Sequence, residues 1–224
     1  MEASLMTKNK WWVLALTSAV ILATMLYGAS QYSALPATMV THWGVDNQPN
    51  GWMPKALVVY GLPLLMLGAH WLAVGTTYWA SSHGKSAPRF ERITVWIIPV
   101  VTVVIYVATI RYGLGQAVNI RLWAIAVVGA VFIAMGNYLP TVPAPAAHKG
   151  WIGIGYHVPW QVKNPAGALK SMRVLGYVMV AGGVLMLASL FFPPVVSVAA
   201  LVLVIAAMIV VMPLSYRWTT RIDR

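Results

Sequence analysis

His42, Trp43, Gly44, Asp46, Trp52 and Lys55 fall within one short polar stretch of the chain. They combine an imidazole, a carboxylate four residues on, two indoles and an ammonium. Such a set can hold a ligand by hydrogen bonds, charge and apolar contact, with Asp46 as the expected partner of His42. A metal would need ligands beyond His42 and Asp46, and the stretch supplies none, so no metal and no cofactor are expected. Asp46-Asn47, Pro49-Asn50-Gly51 and Met53-Pro54 are dense turn signals, which predict a compact, ordered loop with an extended segment at Pro36 to Val40.

A second constellation lies further along. Asn137, Tyr138 and Pro140 close an apolar stretch, and Gly155, His157, Pro159 and Trp160 follow in a run where glycine, proline and aromatic residues alternate. That run suits a re-entrant or interfacial element anchored by Trp151 and Trp160, or equally an amphipathic connector on a membrane surface. His70 is the third candidate, an ionisable residue inside an apolar stretch. At that depth it is either a ligand contact or, more commonly, a neutral imidazole bonded to a neighbouring helix. Asn137 reads in the same way, as polar glue first.

Known enzyme patterns are missing. There is no His-Glu-x-x-His, no Gly-x-Ser-x-Gly elbow and no phosphate-binding glycine loop. The chain has no cysteine, which removes disulfides and thiolate chemistry. The expectation is a protein that is not an enzyme.

The elements that must position these residues are six apolar stretches, at 11–31, 56–80, 93–110, 122–139, 174–192 and 195–216. Each is long enough to cross a hydrocarbon core of roughly 30 Å, and in that medium only a helix satisfies its own backbone. Of the 224 residues, 60% are hydrophobic and 8% charged, too few charges to solvate a globule. The expected fold class is therefore an all-α integral membrane protein with six transmembrane helices, forming a single membrane domain over 1–224. Its two candidate loops are 32–55 and 140–173.

The formal charge of +11 points to lipid rather than nucleic acid, because of where it sits. Twelve of the fifteen lysines and arginines fall on the termini and alternate loops, and Lys55, Arg111 and Arg121 are the three on the other side. The positive-inside rule then places both termini in the cytoplasm (N-in/C-in), the 32–55 loop outside the cell and the 140–173 loop inside. The inner charges should attract anionic lipid, at about 1 kcal/mol each near the surface. No direct contact with nucleic acid is expected. Lys8 and Lys10 before an apolar run also resemble a signal peptide, with Tyr27-Gly28-Ala29-Ser30 as a cleavage site. The run is longer than a signal core of about 7–15 residues, and an uncleaved first helix is expected.

Within the helices, Ala15, Ala19 and Ala23, and Ala126, Ala130 and Ala134, form small-residue stripes that fit close helix packing. Trp11-Trp12 suits an aromatic belt. Each half of the chain has a long loop after its first helix. This is the pattern of an inverted 3+3 repeat, which is common in transporters, although shared loop lengths would arise by chance as readily.

The two loops also carry a family resemblance. Leu35-Pro36, His42-Trp43-Gly44, Gly51-Trp52 and Lys55 resemble the N-terminal domain of unknown function of SdpI-type membrane proteins, with its proline, histidine–aromatic pair, glycine turn and lysine. Gly136-Asn137-Tyr138-Leu139-Pro140 and Ile154-Gly155-Tyr156-His157-Val158-Pro159-Trp160 resemble that family's Gly-Asn-Tyr-x-Pro and Ile-Gly-x-Arg-Thr-Pro-Trp segments. The resemblance covers about 28 to 190. His157 and Val158 stand where the family has Arg-Thr. The family's later Trp-x-x-Thr-His segment is not recognisable, and Leu169 to Arg173 occupy its region.

The resemblance implies immunity to a secreted toxic peptide that attacks the producer's own bacterial cell membrane. It also implies signalling, in which a cytoplasmic winged-helix repressor is held at the membrane once toxin is present. On that reading the outer residues from His42 to Lys55 meet an amphipathic peptide toxin. The inner motif, including Asn137, Tyr138, Pro140, Gly155, His157, Pro159 and Trp160, then reports to the partner. The alternative, drawn from the repeat and His70, is a small transporter or lipid-handling protein.

Overall fold

The computed structural model describes residues 2–44, 46–82, 87–142 and 164–220. Gly155, His157, Pro159 and Trp160 lie outside these residues. The element order is helix α1 (Glu2–Ser30), strands β1 (Thr38–Trp43) and β2 (Pro49–Pro54), and a π-helical turn (Leu57–Gly61) that leads into α2 (Leu62–Ser82). Then come α3 (Pro88–Gly113), α4 (Ile120–Tyr138) with a 3₁₀ turn (Leu139–Thr141), α5 (Pro165–Ser189) and α6 (Pro194–Thr220). Among the described residues, six helical segments are long and apolar enough to cross a membrane: Lys10–Ser30, Leu57–Trp79, Pro88–Gly113, Ile120–Thr141, Pro165–Ser189 and Pro194–Trp218.

All six expected stretches are helical over most of their length, and they differ at their ends: α1 begins at Glu2 rather than 11, and α5 stops at Ser189 rather than 192. Helix α5 begins at Pro165, not at 174, so the end of the 140–173 loop is helix. Asn164 caps it, accepting a hydrogen bond from the Gly167 amide at 3.0 Å, and Pro165 takes the first helical position, where a missing N–H costs nothing. Lys170, Ser171 and Arg173 break the apolar run in sequence without breaking the helix. Helix α3 likewise extends back to Pro88, where the Glu91 carboxylate accepts the Ala87 amide at 2.8 Å and satisfies one of the orphan donors of a helix start. Pro99 and Pro213 lie inside α3 and α6.

The chain divides into two compact units. Unit 1 comprises Met1–Gly75 and Val95–Val127. Its core is Leu35, Met39, Val58, Val59, Tyr106 and Ile110, flanked by Tyr27, Tyr32 and Met53 among others. Helix α1 packs through Thr17, Ile21, Thr24 and Gly28, which recur every three or four residues and are buried. Ala15, Ala19 and Ala23 are exposed on its other face, so the expected alanine stripe is not the packing face. At Gly28 the approach is close: a Cβ there would meet the Tyr106 hydroxyl. That hydroxyl donates to the Val59 carbonyl at 2.9 Å. The accepted carbonyl belongs to the π-helical turn, where the regular helical ladder is interrupted.

Unit 2 comprises Thr76–Thr94 and Val128–Arg224. Its core gathers Phe90 of α3, Leu139 and Val142 after α4, Met172, Leu175 and Met179 of α5, and Val211 of α6. Helices α4 and α5 touch backbone to backbone at two levels. A Cβ on Gly136 would lie 2.6 Å from the Gly176 carbonyl oxygen, and one on Gly129 would lie 3.0 Å from that of Gly183. The expected stripe of Ala126, Ala130 and Ala134 is again displaced, and Ala130 is exposed. Glycine allows the backbone approach that alanine would hold open.

Candidate functional site

The 32–55 loop is an antiparallel β-hairpin. Val40 pairs with Trp52 and His42 with Gly51, with irregular register on either side of His42. The loop is ordered, as its turn residues predict, and the extended segment runs from Thr38 to Trp43, further than expected. At the tip, the Gly44 amide donates to the Gln48 carbonyl at 2.8 Å, and the Asp46 carboxylate accepts the Gln48 amide at 3.0 Å. Asp46 therefore closes its own turn. It does not pair with His42, whose Nδ1 donates instead to the Asn50 side-chain oxygen across the strands. Asn50 lies beside Gly51, the strand partner of His42, at the irregular step in register, whereas the Asp46 carboxylate is turned back into the loop. With Nδ1 engaged, Nε2 is the His42 nitrogen left for a ligand.

Three contacts fasten this hairpin within unit 1. Lys55 Nζ donates to the carbonyls of Tyr32 and Leu35 at 3.1 and 3.2 Å and lies 4.5 Å from the Tyr32 ring centroid. A cation on carbonyls just past the C-terminus of α1 is favoured by the helix dipole and by charge-assisted hydrogen bonding. Trp43 packs edge-on to Tyr112 near the end of α3, with ring centroids 5.4 Å apart. Its indole N–H is buried without a partner among the described residues. Asn47, at positive φ of 61°, accepts the Arg121 amide at 3.0 Å and so caps the start of α4 from a distance in sequence.

The six predicted residues therefore divide into two groups. Trp43, Gly44, Asp46 and Lys55 build and fasten the hairpin. His42 is exposed, and Trp52 is 57% exposed. These two, with Asn50, form the face available to a ligand. Asn47, Asn50, Tyr32, Tyr112 and Arg121 were not singled out by the sequence reading. The Asn-Gly and Asp-Asn turn signals pointed at the asparagines, but only the strand register shows what they bond.

His70 is 1% exposed and is bonded through Nε2 to Thr17 Oγ1 at 2.8 Å. The same hydroxyl lies 2.8 Å from the Val13 carbonyl, within α1. One residue on, the Trp71 indole donates to the Ser18 hydroxyl at 2.9 Å. The pair of bonds clasps α1 to α2. Thr17 and Ser18 are the signal that sequence reading passed over.

In unit 2, the Gly136–Pro140 motif also has a packing role. A Cβ on Gly176 of α5 would meet both the Gly136 carbonyl at 2.6 Å and the Pro140 ring at 3.1 Å. Tyr138 is partly buried against the unit 2 core, and Asn137 is exposed.

A family model described as "Domain of unknown function (DUF1648)" matches residues 19–67. This domain occurs in SdpI-like membrane proteins. The matched segment begins within α1, contains the whole hairpin and the π-helical turn, and ends early in α2. It thus includes Gly28, Lys55 and Val59 as well as His42 and Trp52. No curated protein and no solved structure matches the chain.

Proposed function

We propose that this chain is a non-enzymatic immunity protein of the bacterial cell membrane, which binds a secreted amphipathic peptide at the hairpin face of His42, Asn50 and Trp52. The observation that carries the reading is the coincidence of the DUF1648 match with a fastened hairpin whose exposed residues include an imidazole and an indole. Trp52 would accept the apolar face of the peptide at the interface, and His42 Nε2 would take a hydrogen bond from its polar face. Both termini would be cytoplasmic and the hairpin outside, following the distribution of basic residues. Arg89, Arg92, Lys170, Arg173 and Arg217 are exposed in unit 2 and would meet anionic lipid on the inner leaflet.

Binding would favour one helix arrangement over another, and the inner segment with His157, Trp160 and Lys163 would report it to a cytoplasmic winged-helix repressor. A switch from 1:99 to 99:1 needs the peptide to prefer the second state by about 5.5 kcal/mol. Expression in a sensitive bacterium should raise tolerance to the co-encoded peptide. His42→Ala and Trp52→Ala should each lower that tolerance at unchanged protein level. Tolerance that is absent in the parent chain, or unaltered in both variants, would count against the reading.

A further inference from the structure

The turn joining α5 to α6 and the first residues of α6 are apolar throughout: Leu190-Phe191-Phe192-Pro193, then Pro194-Val195-Val196. Loops that face water normally carry polar residues, and this one exposes large apolar side chains instead. Phe191 is 89% exposed, Val195 is 70% exposed, and Phe192 is also exposed. Its backbone amides are largely satisfied locally. The amides of Leu190, Phe191, Phe192 and Val196 donate to the carbonyls of Leu187, Ala188, Ser189 and Pro193, at 2.9 to 3.2 Å. Pro193 and Pro194 have no N–H to satisfy. The flanking hydroxyls are buried and bond each other, with Ser189 Oγ donating to Ser197 Oγ at 2.9 Å. These bonds are what a turn needs where water is scarce.

Helix lengths give the same answer. Arg173 on α5 and Arg217 on α6 are exposed cations at the ends away from the turn. Such side chains hold their charge at headgroup level. At about 1.5 Å per residue, the turn begins about 24 Å beyond Arg173 along α5, and α6 covers about 34 Å from the turn to Arg217. These values bracket the roughly 30 Å hydrocarbon thickness. The turn is therefore placed at the far hydrocarbon boundary, not beyond it in water.

We infer that the α5–α6 turn is a lipid-immersed tip, with Phe191, Phe192 and Val195 seated at the acyl-chain boundary of the bilayer. The inference does not rest on peptide binding by the hairpin. The absence of native cysteine allows a single-site test. Phe191→Cys carries a nitroxide in the full chain, reconstituted in vesicles of zwitterionic and anionic phospholipid, with Ala117→Cys on the α3–α4 connection as the aqueous reference. The ratio of oxygen collisions to collisions with a water-soluble nickel complex should be severalfold higher at 191 than at 117. A ratio equal to that at 117 would place the turn in water and overturn the inference. Shielding from both reagents would show the tip covered by protein and would overturn it too. Val195→Cys gives the same readout if Phe191→Cys fails to insert.

Discussion

At the scale of single residues, the hairpin separates fastening from exposure. Lys55 reads in sequence as a charge available to a ligand, yet its ammonium is held by two carbonyls and the Tyr32 ring. Replacing it by methionine removes charge-assisted bonds at a partly buried site. Lys55→Met should therefore lower stability by about 1–2 kcal/mol, measured by denaturant unfolding in micelles. His42→Ala, at an exposed position, should change stability by no more than about 0.5 kcal/mol while altering binding. Thr17 and His70 make a similar contrast inside the helices. A double-mutant cycle on Thr17→Val and His70→Ala should give a coupling of about 0.6 kcal/mol, the average for hydrogen bonds between membrane helices, and no more than about 1.7 kcal/mol. No coupling would show that the two groups stabilise the fold independently.

The residue types of this site were legible in sequence: histidine, tryptophan and lysine at the right spacing on a turn-rich loop. Their partners were not. Whether His42 meets Asp46 or Asn50 depends on strand register. Whether Lys55 meets solvent or the end of α1 depends on a chain reversal that local sequence does not encode.

At the scale of elements, composition and hydropathy located all six helices, because the requirement that backbone bonds close within each segment leaves little choice. They did not locate the packing faces. Alanine stripes are the visible small-residue pattern in α1 and α4, but the buried faces use Thr17, Thr24 and Gly28 in one, and Gly129 and Gly136 in the other. In an apolar helix the lipid-facing and packed sides look alike, so periodicity carries little information about orientation. The glycine contacts give a direct test. Gly136→Ala would put a methyl 2.6 Å from the Gly176 carbonyl oxygen and 2.9 Å from the Val180 nitrogen, atoms of a backbone that cannot move aside alone. It should cost about 1–3 kcal/mol in the same unfolding assay. Ala130→Leu, on the exposed face, should cost less than about 0.5 kcal/mol. Equal effects of the two would contradict the α4–α5 contact.

At the scale of the molecule, six helices able to cross a membrane connect loops of unlike character. One is a stapled hairpin with an exposed histidine and tryptophan. Another is an apolar turn whose amides are bonded locally. The basic residues concentrate on alternate connections, and the proposal that the hairpin lies outside the cell rests on that asymmetry. A peptide that attacks from outside can be met there, and a cytoplasmic partner can be met only on the opposite side. The proposed function therefore depends on which face of the bilayer each segment occupies. Labelling with a membrane-impermeant maleimide measures this directly, since the chain has no cysteine of its own. In intact cells, cysteine placed at the hairpin by Gln48→Cys should be modified from outside, and Lys163→Cys should be modified only after the membrane is opened. Modification of both from outside, or of neither, would contradict the account.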